Sequence, residues 1–227
     1  METMTTSIIL PFLVFFPFLG AVISYIIGRS NKGARDIWCW ILSAVIFIAS
    51  LMLIGKETVY SLRGFCGLGL SFAADGFGVI LAVLTGAIWL ITTIFSKEYM
   101  AAERNRNRYY FFVFLTLGAT MGIFLSADLF TTFIFFEIMS FTSFVLVMHD
   151  EEDFTVRSAK TYLAVAVIGG LVTLMGLFMM YQKAGTLNMT ELTAFMQSRE
   201  NPAEFYAIGV LILFGFAAKA GLFPLHI

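Results

Sequence analysis

Residues 129–148 read LFTTFIFFEIMSFTSFVLVM, an uncharged run interrupted only by Glu137. A helix of about 20 apolar residues is long enough to cross the hydrocarbon core of a bilayer. The run therefore predicts a membrane-spanning helix with one carboxyl group near its middle. A carboxylate at that depth costs roughly 2.5–3.5 kcal/mol on insertion scales, so we expect it to serve ion or proton movement. The alternative is a neutral, hydrogen-bonded acid that fixes the packing of helices.

The composition of the whole chain is that of a multi-pass membrane protein. Its 227 residues are 59% hydrophobic and 13% charged, with a mean hydropathy of +0.90. Soluble domains carry about 25% charged residues, nearly twice this share. The sequence therefore predicts an all-α integral membrane protein with about seven transmembrane helices and no soluble domain between them. The predicted segments are 7–28, 37–55, 72–95, 109–126, 128–148, 158–181 and 205 to the end.

Positive charge is distributed unevenly over the predicted loops. Loops one, three and five carry twice as many Lys and Arg residues as loops two, four and six, and cytoplasmic loops are enriched in these residues. We therefore predict a multi-pass protein of the plasma or inner membrane with its N-terminus outside. The net charge of −1 and the short basic run RNRNR at 104–108 favour contact with lipid headgroups over nucleic acid. The odd-loop residues are Arg29, Lys32, Arg35, Lys97, Arg104, Arg106, Arg108 and Arg157, and the even-loop residues are Lys56, Arg63, Lys183 and Arg199.

Lys219 is the second ionisable residue within an apolar context, in FGFAAKAGLFPLHI at 214–227. It could bind and release a proton inside the membrane, or it could extend its ammonium group to the interface. Gly221 and Pro224 follow and predict a broken helix. Such a break is tolerated in a bilayer only beside protein or a water-filled cavity, and broken helices often form ion sites in transporters.

Three further polar residues have two possible roles each. Lys160 could extend to the interface or point inward toward Glu137. His226 could take part in proton transfer or be an ordinary terminal histidine. Asp128 could cap the helix that follows it or lie at the outer mouth of a channel, and the cap is favoured. Small residues in the sixth segment, at Gly169, Gly170 and Gly176, predict close contact with another helix.

Motifs for soluble catalysis and for cofactor or metal binding do not occur in the sequence. GxSxG, GxxxxGK[ST], HExxH and CxxC patterns are missing, as is a GxGxxG followed by a ribose-binding acid. We therefore predict no cofactor and no metal site in this chain. A quinone-binding membrane enzyme, suggested by the aromatic content, has no redox-ligand cluster to support it.

Several motifs together resemble one family of membrane subunits. SADLFTTFIFFEIMSFTSFVLV at 126–147 resembles the fifth-helix signature of the antiporter-like proton-channel subunits of respiratory complex I, Mrp-type cation/proton antiporters and membrane-bound hydrogenases. KAGLFPLHI at 219–227 resembles the broken seventh helix of that family, and RSAKTYLAVAVIGG at 157–170 resembles the start of its sixth helix. LSFAADGFG at 70–78 and SKEYM at 96–100 match weaker landmarks.

The resemblance implies a fold, a function and roles for individual residues. The family fold has two inverted repeats of five helices, so residues 1–108 would form helices 1–3 and residues 109–227 an incomplete first repeat. Glu137 would face the central lysine, Lys219 would be that switchable proton carrier, and Lys160 and His226 would be auxiliary groups of a hydrated path. The subunit would move H⁺ or Na⁺ within a complex whose other membrane subunits are its partners. Any oxidoreductase activity would belong to those partners.

Two departures from the family pattern bear on this interpretation. Phe136 precedes the acid where the family usually has Trp, which keeps an aromatic ring at that position. The chain ends at Ile227, inside the family's Pro-Leu-His-x-Trp-Leu-Pro motif and before a second repeat, so we expect a fragment. The alternative function is therefore a truncated, non-conducting structural or assembly subunit.

Overall fold

A computed structural model describes residues 5–62, 64–198 and 203–222 of the chain. Within these residues the chain is mostly helical, with a small sheet and a short 3₁₀ turn at Phe65–Gly67. The helices are α1 (Ile9–Ser30), α2 (Lys32–Leu51), α3 (Gly76–Tyr99), α4 (Arg106–Phe124), α5 (Leu129–Val147), α6 (Asp153–Ala184), α7 (Met189–Gln197) and α8 (Ala203–Lys219). The strands are β1 (Thr5–Thr6), β2 (Thr58–Leu62) and β3 (Leu70–Ala74).

Each of the seven predicted apolar segments contains a helix, and α7 is a short additional helix between the last two. Five of the described helices are long and apolar enough to cross a membrane, namely α1, α2, α3, α5 and α6. The apolar part of α8, Phe205–Lys219, is shorter. The multi-pass membrane fold is thereby confirmed, while the number of seven spans and the division at residue 108 stay predictions.

The connection between α2 and α3 contributes two strands to a three-stranded sheet that was not expected from the sequence. Strand β2 pairs antiparallel with β3 and parallel with β1. The third apolar segment was expected to begin at residue 72, but the helix begins at Gly76, after an Asp75 cap that accepts a 2.6 Å hydrogen bond from the Gly78 amide. Alternate residues of β3 are buried, as in a strand with one face on the core. Hydropathy alone does not separate such a strand from the first turn of a helix.

The connections that follow even-numbered helices lie together at one end of the bundle, which we name the sheet face. The extended segment 125–127 joins β3 through two backbone hydrogen bonds, from Ala73 to Leu125 (2.8 Å) and from Ala127 to Ser71 (2.9 Å). On its other side, the Leu129 amide donates to the Leu187 carbonyl (3.0 Å). Three separate connections therefore satisfy one another's backbone groups, as buried peptide groups require.

Asp128 caps α5 and ties it to this sheet. One carboxylate oxygen accepts a 2.7 Å hydrogen bond from the Thr131 amide, and the other accepts from the Thr131 hydroxyl (2.6 Å) and the Ser71 amide (3.2 Å). The favoured prediction of a helix cap is confirmed. The cap fixes where α5 begins, and with it the depth of Glu137, two and a half turns further along.

The connections that follow α1, α3 and α5 lie at the opposite end, which we name the arginine face. They comprise residue 31 and the ranges 100–105 and 148–152. Arg106 donates to the Lys97 carbonyl (2.7 Å), and Arg108 donates to the His149 carbonyl (2.8 Å) and pairs with Glu151. The structure thus separates the loops into the two sets expected from the sequence. The assignment of the arginine face to the cytoplasm stays a prediction.

A buried charge cluster at the arginine face corrects one expectation from the sequence. The second helix begins at Lys32 and not near residue 37, so Arg35 is a fully buried helix residue and not a loop charge. Its guanidinium donates to the Asp36 carboxylate at 2.7 Å and to the side chain of Asn107, and it lies 4.7 Å from the ring centroid of Tyr110. Arg106 contacts the second Asp36 oxygen at 3.1 Å. One carboxylate therefore joins α2 to α4.

We predict that Asp36→Asn strongly destabilises the protein, because it leaves two arginines close together without their buried counter-charge. Breaking a buried pair in this way costs about 3–5 kcal/mol. The control is Glu151→Gln, which removes one charge of the partly exposed Arg108–Glu151 pair. This change should lower the free energy of unfolding by less than about 1 kcal/mol. Thermal unfolding of each variant in detergent, followed by circular dichroism, measures the difference. Equal losses for the two variants would contradict this account.

Candidate functional site

Helices α5, α6 and α8 meet around Glu137, and small residues allow α6 and α8 to approach closely. A Cβ atom added at Gly215 of α8 would overlap the Thr173 hydroxyl and the Gly169 carbonyl of α6. Gly176 lies against Ile212 of α8 in the same way. The close contact predicted from the glycines of α6 is present. Because little side-chain volume separates these two helices, residues at the end of α8 come within reach of α5.

Glu137 and Lys219 form an ion pair inside this three-helix group. The Lys219 ammonium donates to Glu137 Oε1 at 2.5 Å, across 82 residues of sequence. The Lys219 side chain is 5% exposed and that of Glu137 is 22% exposed. Of the two positions considered for Lys219, the structure shows the inward one. The role of this ion pair in ion movement stays a prediction.

The surroundings of the pair explain why it forms at this place. The Phe136 ring lies under the ammonium group, 5.0 Å from Nζ to the ring centroid, and meets Phe216 edge to face. A cation over an aromatic face is attracted by the ring quadrupole, so phenylalanine can fill the role of an aromatic neighbour here. Gly170 of α6 leaves the space that the Glu137 carboxylate occupies, because a Cβ atom there would meet both oxygens.

The end of α8 also favours a positive charge at Lys219. The helix ends at this residue, and the Gly221 backbone adopts a left-handed conformation with φ +65°. The Leu222 amide donates to the Ala217 carbonyl (3.0 Å) and the Gly221 amide to the Ala218 carbonyl (3.4 Å), a Schellman ending that suits glycine. The negative end of the helix dipole lies at this terminus and favours a cation. The predicted helix interruption thus begins at Gly221, while Pro224 and His226 lie outside the described residues.

Lys160 is not brought to the ion pair. Its residue is exposed near the start of α6, ten positions before Gly170. At 1.5 Å per residue these positions are about 15 Å apart along the helix axis. The auxiliary role that the family resemblance implies for Lys160 therefore stays a prediction without a direct contact to Glu137.

A second set of polar contacts beside the site was not expected from the sequence. The Ser143 and Tyr162 hydroxyls join α5 to α6 at 2.9 Å, and the Thr116 and Thr142 hydroxyls join α4 to α5 at the same distance. The sequence shows that these apolar helices contain hydroxyl residues. It does not show which hydroxyls meet, because that depends on the register of the two helices. Among the residues that the structure describes, no group of three or more His, Cys, Asp or Glu side chains could hold a metal ion.

Comparison with known proteins agrees with this arrangement. Residues 126–227 match the family model described as NADH:quinone oxidoreductase/Mrp antiporter, TM. The chain is 30% identical over 230 residues to a Na(+)/H(+) antiporter subunit of Bacillus subtilis, covering 98% of this chain and 46% of that protein. Over residues 126–227 the chain matches the antiporter-like membrane-subunit family. It is also 30% identical over 158 residues to a Na(+)/H(+) antiporter subunit of Alkalihalophilus pseudofirmus, covering 70% of this chain and 32% of that protein.

Solved structures show the same fold. The membrane-bound sulfane sulfur reductase, an archaeal respiratory membrane complex, contains a chain that matches with a TM-score of 0.85 at 21% identity, covering 96% of this chain and 46% of that one. The Mrp complex of Dietzia sp. contains another, with a TM-score of 0.81 at 23% identity, covering 96% of this chain and 41% of that one. This chain therefore spans less than half the length of these four relatives.

We predict opposite effects for two glycine substitutions on α8. Gly215→Ala should destabilise by about 1–3 kcal/mol, because the new methyl group overlaps α6 backbone and must push the helices apart. Gly209→Ala has open space around it and should stabilise by up to about 1 kcal/mol through helix propensity. Thermal unfolding in detergent measures both. The account fails if Gly215→Ala is as well tolerated as its matched control.

Proposed function

We propose that this antiporter-like subunit moves protons or sodium ions through the Glu137–Lys219 site as part of a multisubunit membrane complex. The observation that carries the proposal is the ion pair between α5 and α8. A buried pair contributes little to stability, because desolvation of both charges offsets their attraction. Retaining two such groups in apolar helices is therefore better explained by a use for their charge.

The geometry supports a switch between a paired and a separated state. In the paired state, the Lys219 ammonium and the Glu137 carboxylate attract each other at hydrogen-bond distance. A movement of α8 by a few ångströms would separate the ammonium from Glu137 Oε1, and the attraction at low dielectric would fall steeply with distance. A lysine left in this way can pass its proton onward, and the carboxylate can accept another proton or a cation.

The location of the pair at a helix end makes such a movement physically reasonable. Lys219 is the last helical residue of α8, and the chain turns at Gly221, two residues later. Glycine at a helix end can absorb a change in backbone angles that an α-helix interior cannot. Glu137, by contrast, lies in the middle of α5, and the Asp128 cap fixes where that helix starts. We infer that α8 is the moving element and α5 the stationary one.

The relatives support the class of ion and the presence of partners. The Bacillus subtilis relative is named as part of a Na(+)/H(+) antiporter, and the structural relatives come from multisubunit membrane complexes. We extend both properties to this chain, with other membrane subunits as partners and H⁺ or Na⁺ as the transported ion. A non-conducting structural role is not favoured, because the relatives are antiporter subunits. The proposed setting is the plasma or inner membrane with the arginine face toward the cytoplasm.

We predict that Glu137→Gln and Lys219→Ala each lower ion flux at least tenfold in inverted membrane vesicles containing the assembled complex. Each change removes one charge of the pair and thus one step of the exchange. A pH-sensitive dye follows H⁺ and ²²Na⁺ follows sodium, so the affected signal identifies the ion. The control is Lys56→Ala, which removes an exposed lysine at the sheet face. Unchanged flux in both site variants, with the complex present at wild-type amounts, would refute the proposal.

Lys160→Ala in the same assay tests the auxiliary role of that residue. A substantial loss of flux would support its inclusion in the hydrated path. Flux equal to that of the Lys56→Ala control would assign Lys160 to the membrane interface instead.

A further inference from the structure

The boundary between α5 and α6 contains polar groups on the side of Glu137 that leads to the arginine face. Glu137 lies against Gly170, and the Ser143 hydroxyl lies 2.9 Å from the Tyr162 hydroxyl. The two helices run antiparallel. From the first contact to the second, the chain moves six residues forward on α5, from Glu137 to Ser143, and eight residues backward on α6, from Gly170 to Tyr162. Ser143 is therefore about 9 Å along the α5 axis from Glu137, at 1.5 Å per residue.

Ser140 lies between these two contacts on the same side of α5. Successive helix residues are rotated by about 100°, so Ser140 points between the directions of Glu137 and Ser143, which both touch α6. Its side chain is buried, with the residue 2% exposed. Three oxygen-bearing side chains of α5 and one of α6 thus follow one interhelical boundary. We call this set the α5–α6 polar seam: Glu137, Ser140, Ser143 and Tyr162.

The seam leads toward a polar cavity at the arginine face. His149 lies six residues beyond Ser143, just past the end of α5. Both of its ring nitrogens are buried and have no hydrogen-bond partner among the described residues. Buried imidazole nitrogens normally have a partner, so His149 is the exception among the polar groups at this end of the seam. The cavity has a volume of about 570 Å³ and is lined by Glu103, Arg104, Asn105, His149, Asp150, Glu151 and Glu152.

The charges around His149 favour a positive ion at this mouth. Four carboxylates line the cavity with one arginine, Arg104. Arg108 approaches from α4 but donates to the His149 carbonyl and pairs with Glu151, which offsets part of its charge. Tyr109 of α4 covers one side of the imidazole, with ring centroids 5.8 Å apart. These are the charged and titratable groups that the structure places around the ring.

We propose that the α5–α6 polar seam is the route by which protons reach Glu137 from the arginine face. This inference rests on the proposed function and adds the route and its ion. A small rotation of the His149 ring brings one nitrogen to the cavity it lines, where it takes a proton from water, and the other nitrogen then releases one. The Ser143 and Tyr162 hydroxyls, and then Ser140, each accept a proton on oxygen while giving up their own. For the two serines this exchange replaces the hydrogen bonds that they donate to the Met139 and Phe136 carbonyls. Water bridges the remaining gaps, which from the helical rise are about 9 Å between His149 and Ser143 and about 4.5 Å on either side of Ser140, and the Glu137 carboxylate receives the proton.

A route of this kind is specific for protons. Hydroxyl exchange passes a proton without moving any heavy atom, whereas Na⁺ would need several oxygen ligands at each position along the way. The seam supplies one or two side-chain oxygens at each level. A sodium ion, if the complex carries one, therefore reaches the Glu137–Lys219 site by another path.

The first test is the initial rate of proton movement in vesicles containing the assembled complex, for Tyr162→Phe and Ser143→Ala. Each change removes one hydroxyl, and we expect a three- to tenfold lower rate in both. The double variant should be no slower than the slower single variant, because the two hydroxyls form one step. Tyr181→Phe, an exposed tyrosine on the same helix, is the matched control and should keep the wild-type rate.

Two readouts separate conduction from packing. Ser143→Thr keeps a hydroxyl and should retain most of the rate that Ser143→Ala loses. The ratio of rates in H₂O and D₂O should rise in Tyr162→Phe, because proton transfer along the seam becomes slower relative to other steps. A structural effect alone would lower the amount of assembled complex and leave that ratio unchanged, which would overturn the proposal.

His149→Gln tests the mouth of the route. Glutamine keeps hydrogen-bonding capacity but cannot bind a proton. The rate of proton movement in the variant, relative to wild type, should therefore fall most when the pH at the arginine face is raised. The pH is varied separately on each side of the membrane. A pH profile identical to wild type would remove His149 from the route.

Glu137→Gln distinguishes failure of the route from failure of the proposed function. If Glu137→Gln abolishes flux while the Tyr162, Ser143 and His149 variants keep wild-type rates and profiles, the route is wrong and the function stands. If Glu137→Gln also leaves flux unchanged, both proposals fail.

Discussion

A charge within a bilayer must be paired or reached by water, and this requirement organises the structure around Glu137. The carboxylate lies in the middle of α5, too far from either end of the helix to reach the interface. Its partner, Lys219, is the last residue of α8, where the helix dipole and the Phe136 ring also favour a cation. The pair therefore determines which helices must be adjacent and where α8 can end.

Close helix approach makes this pairing possible. Without water to drive apolar groups together, membrane helices associate through tight packing of small residues. Gly169, Gly170 and Gly215 provide that packing between α6 and α8 and leave a space for the carboxylate. Larger residues at these positions would separate the helices and move Lys219 away from Glu137. The glycines thus allow the two charged residues to meet.

The two ends of the bundle are built on different principles. At the sheet face, backbone hydrogen bonds join three connections and anchor the start of α5 through Asp128. At the arginine face, buried and partly buried charges join α2, α4 and the connection after α5. Backbone hydrogen bonds therefore dominate at the sheet face, whereas at the arginine face four carboxylates line a cavity and favour cations. This difference agrees with proton uptake at the arginine face.

The sequence by itself determined the membrane class, the order of the helices, the separation of the loops into two sets and the two intramembrane charges. These features depend on hydropathy and local charge, which neighbouring residues display directly. Only the tertiary structure showed the sheet between α2 and α3, the burial of Arg35, and the pairing of Ser143 with Tyr162. Hydropathy does not separate an apolar strand from a helix, and a contact between hydroxyls depends on the register of two helices. The distance between Glu137 and Lys219 likewise required the fold, because 82 residues separate them and only the packing of α6 against α8 brings them together.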